Sequence, residues 1–271
     1  MESAPEMNGA TKGILRPGAI DKRFSLSRNS PSEELSFVVE HYWIVQWDLR
    51  GREPYKSETL PFPTVHIVIE RKRADVWGVS TGRFTRRLEG EGRAFGIKFK
   101  PGAFRSLIGG PVSNLTDRTI PVAKLFGENG GRFVNDVNSL DEVSEIEAVA
   151  ERFINSLNPQ RDSKADTVDR IVTCIMSDRS ITSVEQIVKS EASNKRSLQR
   201  LFDEYVGVGP KWVISRYRLQ EAADRLARQG SVELSQLALE LGYFDQAHFI
   251  RDFKTIMGMT PGEYSRTSAN T

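Results

Sequence analysis

Two clusters of cationic and amide side chains occur in the last third of the chain, each on one side of a stretch with helical spacing of apolar residues. Arginine and glutamine form paired hydrogen bonds with the edges of nucleobases, and lysine binds phosphate as a point charge. These residue types therefore indicate contacts with a nucleic acid groove. The first cluster consists of Lys195, Arg196, Gln199 and Arg200, and the second of Gln246, His248, Arg251 and Lys254.

The two clusters belong to a unit that occurs twice within Ser183–Tyr264. Five pairs of residues share one offset along the chain: Leu198/Phe249, Arg200/Arg251, Phe202/Phe253, Gly207/Gly258 and Pro210/Pro261. Two copies indicate a duplicated small motif and not a solenoid. Each copy predicts two short helices joined by a tight turn, a helix-turn-helix. Ser193 or Asn194 is the predicted cap of the polar helix in the first copy, and Asp245 in the second.

A long amphipathic helix is predicted between the copies, over Pro210–Gln229. About 20 residues at about 1.5 Å each give a rod of about 30 Å. One turn of B-DNA is about 34 Å long. A rigid spacer of this length would hold two polar helices, Lys195–Tyr205 and Gln246–Met257, in successive major grooves on one face of a duplex. Two weak binding motifs on a rigid spacer add their affinities without a large entropy cost.

Ser183–Tyr264 resembles the DNA-binding domain of the AraC-type transcription regulators. The motifs that carry the resemblance are Leu237-Ala238, Leu241–Lys254 and Gly258–Tyr264 in the second half, and Leu198–Phe202 and Gly207–Pro210 in the first. The resemblance implies a double helix-turn-helix domain and a sequence-specific DNA-binding regulator of transcription. It also implies double-stranded DNA as a partner, with RNA polymerase as a further one.

Overall charge does not by itself indicate a nucleic acid partner. The chain has a net charge of +2, and residues 164–271 contain 15 Lys and Arg against 14 Asp and Glu. The hypothesis therefore depends on where the cations are placed, with Lys195, Arg196 and Arg200 on one helix face and Arg216 and Arg218 nearby. The near-neutral charge predicts modest non-specific affinity for DNA.

Length and composition indicate a globular protein of two domains. The chain has 271 residues, of which 38% are hydrophobic and 27% charged, as in ordinary soluble proteins. The single cysteine, Cys174, excludes a disulfide framework within the chain and favours a reducing cytoplasm. Its place on the apolar stripe of Val168–Met176 predicts a core residue. No apolar run approaches the length of a membrane span, so a cytoplasmic protein without a membrane partner is expected.

The first half is predicted to be β-rich, which makes the fold class α+β. Regularly spaced short strands favour a small barrel or a curled sheet, at 42–49, 64–70, 74–80, 82–89 and 96–99, with 24–32 as a loop or an edge strand. Gly109-Gly110-Pro111 and Gly130-Gly131 are interpreted as turns. The expected domains are a disordered N-terminus at 1–13, a sensor or dimerisation-like domain at 14–157, a linker at 158–163 and the helix-turn-helix domain at 164–271.

A small ligand is a candidate partner of this first domain. Aromatic and polar side chains alternate on its predicted strands and either line a cavity or form the core: Trp43, Trp47, His66, Trp77, Phe95 and Lys98. The domain resembles uncharacterised sensor-like domains through Tyr42-Trp43, Leu60-Pro61, Trp77-Gly78 and Gly96–Ala103. The apolar stripe of Leu140–Leu157 either forms a homodimer or packs on its own sheet, and the second interpretation is favoured.

Other classes of chemistry lack a motif in the sequence. His41, His66 and His248 have no metal-ligand spacing, and no phosphate loop, nucleophile elbow or paired-carboxylate motif is present. No catalytic residue, metal or cofactor is therefore expected. Two alternatives remain open. One is an enzyme whose catalytic domain is residues 14–157, with the helical domain as an accessory, and the other is an adaptor that binds peptides through its helical pairs.

Overall fold

The computed structural model describes residues 24–71, 73–191, 193–229 and 232–269. The segment 1–13, expected to be disordered, and residues 14–23 of the expected sensor-like domain lie outside these ranges. A β-rich part comes first and an all-α part follows, which confirms the α+β fold class.

Six strands form one antiparallel sheet in the order β1-β2-β7-β4-β5-β8, and β3 and β6 form a separate antiparallel pair. Their bounds are Phe24–Asn29 (β1), Val39–Leu49 (β2), Tyr55–Thr59 (β3), His66–Glu70 (β4), Arg73–Trp77 (β5), Phe84–Leu88 (β6), Gly90–Phe99 (β7) and Thr119–Pro121 (β8). The edge strand considered at 24–32 is β1. Among the described strands the large sheet stays open between β1 and β8, so the barrel is not closed.

Two helices, α1 (Val122–Asn138) and α2 (Val143–Ser156), pack with one face of the large sheet. The strand residues buried with them alternate along each strand, as expected for a sheet with one buried face: Tyr42, Ile44, Ile67, Ile69, Phe95 and Ile97. The apolar stripe of α2 lies in the same core: Ile146, Val149, Ala150, Phe153 and Ile154. This burial favours packing on its own sheet over a dimer interface.

The interpretation of Gly130-Gly131 as a turn is wrong, because both residues lie inside α1. The helix is interrupted earlier, at Gly127, whose φ of 60° is not helical. Gly130 is buried, and a Cβ there would lie 2.7 Å from the carbonyl oxygen of Val122. A glycine pair in the sequence can mark a turn, but it can also mark a helix position where other atoms come too close for a side chain. The sequence alone does not distinguish the two cases.

The described residues of the second part form seven helices, with bounds of Ser163–Ser177 (α3), Val184–Ser190 (α4), Lys195–Tyr205 (α5), Pro210–Gln229 (α6), Leu234–Glu240 (α7), Gln246–Met257 (α8) and Pro261–Ala269 (α9). Helix α6 takes part in two cores. Its first half buries Val213 and Ile214 with α3, α4 and α5, and its second half buries Leu219 and Leu226 with α7, α8 and α9.

The β-rich part contributes one buried side chain to each of these helical cores. Val79 lies in the core around α5, and Leu60 lies in the core around α8. The indole Nε1 of Trp212, at the start of α6, donates to the carbonyl of Thr81 at 3.3 Å. The two parts of the chain are therefore joined by contacts as well as by the chain itself.

Candidate nucleic-acid interface

Helix α5 presents the first polar cluster from its N-terminal half. Asn194 caps the helix by accepting a hydrogen bond from the backbone NH of Ser197 at 2.9 Å. Leu198, Phe202 and Tyr205 are buried on the side that faces the core. The side turned to solvent exposes Lys195, Arg196, Gln199 and Arg200.

Helix α8 repeats this arrangement. Asp245 caps it by accepting a hydrogen bond from the backbone NH of His248 at 2.7 Å. Phe249 and Phe253 are fully buried. Gln246, Arg251 and Lys254 are exposed, and the His248 side chain is half-buried.

A groove with a volume of about 750 Å³ lies between the two motifs. Both motifs contribute side chains to its lining, including Lys195, Arg196 and Gln199 from α5 and His248 and Asp252 from α8. Four predicted residues lie outside its lining: Arg200, Gln246, Arg251 and Lys254. The N-terminal halves of both helices thus border one groove, and they present further polar side chains beside it.

Arg200 and Arg251, which are matched in the repeat, are both exposed. The acidic residues near them in sequence have other partners. Glu204 pairs with Arg105 at 3.4 Å, and Asp252 lies 3.5 Å from His248. These contacts leave both guanidinium groups turned toward solvent.

Lys195 forms an ion pair with Glu185 of α4. Both side chains are well exposed, at 65% and 61%. Exposed pairs of this kind contribute little to stability, so a phosphate group can replace the carboxylate.

Arg216 and Arg218, which were expected to extend the basic surface, are buried instead. The Nε of Arg216 donates to the carbonyl of Pro61 at 2.7 Å, and its guanidinium lies 4.8 Å from the ring of Phe62. Burial lowers the pKa of Arg216 to about 10, which leaves it charged at neutral pH. Arg218 donates to the carbonyl of Ile175 at 2.7 Å. Both arginines are therefore held in contacts within the fold, and of the two only Arg218 also borders the groove.

The first domain holds the C-terminal end of α5 and leaves its N-terminal half free. The hydroxyl of Thr116 donates to the carbonyl of Gly207 at 2.6 Å. The hydroxyl of Ser113 donates to the carboxylate of Asp203 at 3.2 Å. These contacts thus fix α5 in place at its C-terminal end, away from the polar cluster of its N-terminal half.

Two residues that the sequence analysis did not single out, Lys211 and Phe244, also line the groove. Phe244 is 91% exposed. The sequence feature that could have indicated Phe244 is the pair of aromatic residues, Tyr243 and Phe244, directly after Gly242. Because the backbone of so short a turn directs only one of two neighbouring side chains into the core, the other is expected to be exposed.

The six candidate ligand residues divide between the two faces of the large sheet. Residues that are directly opposite in neighbouring strands point to the same face. The pairings Trp43/Gly96, Trp47/Gly92, His41/Lys98, His66/Lys98 and His66/Trp77 define one such face. It carries five of the candidates: Trp43, Trp47, His66, Trp77 and Lys98. Phe95 lies on the opposite face, in the core, where its ring stacks with Tyr42 at 6.1 Å.

The tryptophans on the first of these faces are half-buried. Trp43 and Trp47 pack over glycines of β7, where a Cβ on Gly96 or Gly92 would overlap an indole ring. Trp77 meets Phe84 of β6 edge-on at 5.3 Å. Contacts with the β3-β6 pair therefore cover part of this face.

Lys98 lies where the sheet meets the helical part. Its Nζ is 2.8 Å from Glu40 and 4.1 Å from the centre of the Phe62 ring. Arg216 contacts the same ring, so Phe62 meets one cation of the sheet and one of α6. Cations are attracted to aromatic rings, so these contacts join the two parts of the chain.

Two titratable groups beside Lys98 have shifted pKa values. Burial lowers the pKa of His66 to about 3, which keeps it neutral, and its Nε2 lies 3.2 Å from the hydroxyl of Thr64. Burial alone would raise the pKa of Glu40, but hydrogen bonds from His41 and Lys98 lower it to about 2. Glu40 is therefore an anion between two donors.

Cys174 is exposed, so its expected place in the core is wrong. The buried side of α3 carries Val168, Ile171, Val172 and Ile175. In a helix with 3.6 residues per turn, position 174 lies beside this stripe and not within it.

In the described ranges, no group of three or more His, Cys, Asp or Glu side chains is placed to hold a metal ion. None of the described helices is long and apolar enough to cross a membrane.

Matches to known families follow the two parts of the chain. Residues 188–267 match a family described as a helix-turn-helix domain, and residues 27–121 match a domain of unknown function, DUF6597. Together with the AraC-like relatives described next, these matches confirm the resemblance stated from the sequence. The C-terminal helices match a helix-turn-helix domain family and are similar to an AraC-like regulator over 31% of the chain, and a match to a domain of unknown function precedes them.

Curated relatives are transcription regulators by name. An uncharacterized HTH-type transcriptional regulator from Haemophilus influenzae is 30% identical over 84 residues, which are 31% of this chain and 28% of the relative. A putative AraC-like transcription regulator from Streptomyces lividans is 33% identical over 97 residues, 35% of this chain and 31% of the relative. The chain thus spans less than a third of the length of these two relatives.

Two solved structures have low similarity to this chain. The C-terminal domain of AraT, a response regulator from Geobacillus stearothermophilus, has 23% identity and a TM-score of 0.35, and the match covers 39% of this chain and 88% of that one. ToxT from Vibrio cholerae O395, bound to (E)-4-(8-methylnaphthalen-1-yl)but-3-enoic acid, has 15% identity and a TM-score of 0.38, with 95% and 100% covered.

Proposed function

We propose that residues 164–271 bind double-stranded DNA at specific sequences, with α5 and α8 as recognition helices in successive major grooves. The observation that carries the proposal is the shared groove. Both helices bury one side in cores joined by α6 and expose a polar cluster at or beside this groove. Helix α6 has 20 residues, or about 30 Å, which suits the spacing of about 34 Å between successive major grooves.

Each polar side chain has a proposed role. Base edges are contacted from the first motif by Arg196, Gln199 and Arg200, and from the second by Gln246, His248 and Arg251. Lys195 and Lys254 contact phosphates, which position the duplex without reading its sequence. Lys254 lies in the last turn of α8, farther from the N-terminal end that enters the groove.

The whole chain is proposed to regulate transcription, with the first domain modulating the second. The names of the relatives favour this role over the enzyme alternative.

The proposed boundaries are 14–157 for the first domain, 158–163 for the linker and 164–271 for the second domain. In the linker, Asp162 caps α3 and accepts a hydrogen bond from the hydroxyl of Tyr205. Proposed partners of the regulator are RNA polymerase, a second copy of the chain and a small effector on the tryptophan-bearing face.

Selection from random duplexes, followed by footprinting, tests the DNA-binding proposal. We expect enrichment of one motif and protection of two major grooves about one helical turn apart, on one face of the duplex. Protection of a single groove would contradict the two-groove arrangement. No enrichment above the starting pool would contradict sequence-specific binding altogether.

The matched control is an arginine away from the proposed interface. Arg132 lies on α1 and its side chain is 76% exposed. Arg132→Ala should give the wild-type footprint, whereas Arg200→Ala should lose protection in one groove and Arg251→Ala in the other.

A further inference from the structure

One large hydrophobic side chain is much more exposed than any other on the described surface. Phe244 is 91% exposed, against 61% for Leu239 and 50% for Met176, the other large hydrophobic residues exposed within the described ranges. Single exposed hydrophobic residues are common, so exposure alone indicates little. Phe244 differs by its position, because it lines the groove between the motifs and directly precedes the cap of α8.

The turn before α8 directs Phe244 away from the protein. Gly242 has a φ of 80°, a conformation that favours glycine and permits a tight reversal. The ring of Tyr243 is buried, 5.4 Å from the ring of Phe249. On the other side, Asp245 is bound to the first turn of α8. Since both neighbours are held by the fold, the side chain between them is presented outward at a fixed place.

The surroundings of this ring favour DNA over a protein as its partner. The same groove carries Lys195, Arg196 and Lys211, together with two carboxylates, Glu185 and Asp252. Lysine is depleted in protein interfaces, whose cores are largely free of charge, whereas an excess of cations matches a phosphate backbone. The major groove also offers one apolar group, the C5-methyl of thymine, and phenylalanine is among the residues that contact it.

We infer that Phe244 determines specificity by packing on the C5-methyl group of a thymine, beside the bases contacted by Gln246. The inference rests on the proposed DNA-binding function. In helix-turn-helix proteins the N-terminal residues of the recognition helix lie nearest the base edges. Phe244 lies two positions before Gln246, the first residue of α8, so it belongs to that end of the helix.

The test removes the methyl group alone. In the duplex obtained by selection, each thymine is replaced in turn by deoxyuridine, and the Kd of the full chain is measured by fluorescence anisotropy. We expect one replacement, in the half-site whose protection depends on Arg251, to weaken wild-type binding about 3- to 5-fold, the effect of burying one methyl group. Phe244→Ala should lose at least as much on the unmodified duplex and should not respond to that replacement.

Leu239→Ala provides the matched control, because Leu239 is an exposed hydrophobic residue of the same motif outside the lining of the groove. It should respond to deoxyuridine as the wild type does. Phe244→Leu, which keeps an apolar side chain, should retain part of the response. Unchanged thermal melting of both Phe244 variants, followed by circular dichroism, would show that their folds are intact.

The outcomes separate the inference from the function on which it rests. A wild-type chain that selects no sequence would remove the proposed function and the inference with it. Specific binding that is insensitive to every replacement, a selected half-site without thymine, or a Phe244→Ala variant that keeps the full response would overturn the inference alone.

Discussion

The two helix-turn-helix motifs share a skeleton and differ at the surface. Phe202 and Phe253, which are matched in the repeat, are both fully buried. Gly207 and Gly258 follow the recognition helices with positive φ values of 93° and 73°. The duplicated positions therefore define the core of each motif and the turn that ends its recognition helix.

Apart from the matched arginines, Arg200 and Arg251, the exposed faces differ. Helix α5 exposes three cations and α8 exposes two, Arg251 and Lys254. Helix α8 also begins directly after the exposed ring of Phe244, which has no counterpart before α5. We propose from this difference that the first motif contributes more charge-dependent affinity and the second more discrimination among sequences.

The attachments of the two motifs to the first domain also differ. After α5, a Cβ on Gly207 would lie 2.7 Å from the hydroxyl of Thr116 and 3.1 Å from the carbonyl oxygen of Val112. After α8, the three atoms nearest to a Cβ on Gly258 would all belong to the guanidinium of Arg83, which pairs with Glu58. The first motif is thus held against backbone and the second against a side chain.

The largest effect is expected when both matched arginines are removed. Each of Arg200→Ala and Arg251→Ala should weaken specific binding by about 1–3 kcal/mol if the arginine pairs with a base. The two contacts lie in different motifs, so their losses should add in the double variant, to about 2–6 kcal/mol. Fluorescence anisotropy at a fixed salt concentration measures all three values.

The same variants test whether the two motifs differ in their contributions to affinity and specificity. If the first motif mainly supplies charge, Arg200→Ala should weaken binding to all sequences more evenly, and Arg251→Ala should relax specificity at one base pair. Equal relaxation by both variants would mean that the motifs read DNA alike. Arg132→Ala should leave affinity and specificity unchanged.

A smaller effect, on stability, distinguishes the two turns. A residue other than glycine in the left-handed region costs about 1–2 kcal/mol. Gly207→Ala should cost more, about 2–5 kcal/mol, because the added methyl group also presses on Val112 and Thr116, and overpacking costs about 1–3 kcal/mol. Gly258→Ala should cost less, because the added methyl group meets a side chain and not backbone, although displacing Arg83 disturbs its ion pair with Glu58 at 3.0 Å. Urea unfolding measures both free energies, and equal losses would contradict the difference in attachment.

The helix-turn-helix elements could be predicted from the sequence because their signals are local. Asn194 and Asp245 precede their helices as caps, and each accepts the expected backbone hydrogen bond. Helix α6 begins at Pro210, as the position of this proline predicted. Caps and helix periodicity depend on neighbours within one or two turns, and these are visible in a single sequence.

The burial of Arg216 and Arg218 could not be predicted, because it depends on residues distant in the chain. The segment Leu60–Phe62 covers Arg216 through a carbonyl and a ring, and Ile175 of α3 accepts from Arg218. An arginine beside an apolar stripe looks the same in sequence whether solvent or another domain covers it. Phe95 is a similar case, since only strand register decides which face of the sheet it shares.

The smallest expected effect is a change in the salt dependence of DNA binding. It tests directly whether the first motif supplies more of the charge-dependent affinity than the second. Each phosphate contact contributes about 0.9 to the slope of log K against log salt. Lys195→Ala should therefore reduce the slope by about 0.9, with a modest loss of affinity, because the exposed pair of Lys195 with Glu185 yields easily to phosphate. Gln246→Ala carries no charge change and should leave the slope unaltered while weakening binding to the selected site alone. Equal slopes for the wild type and Lys195→Ala would place Lys195 away from the duplex, and the extra charge of the first motif would then lose its proposed role.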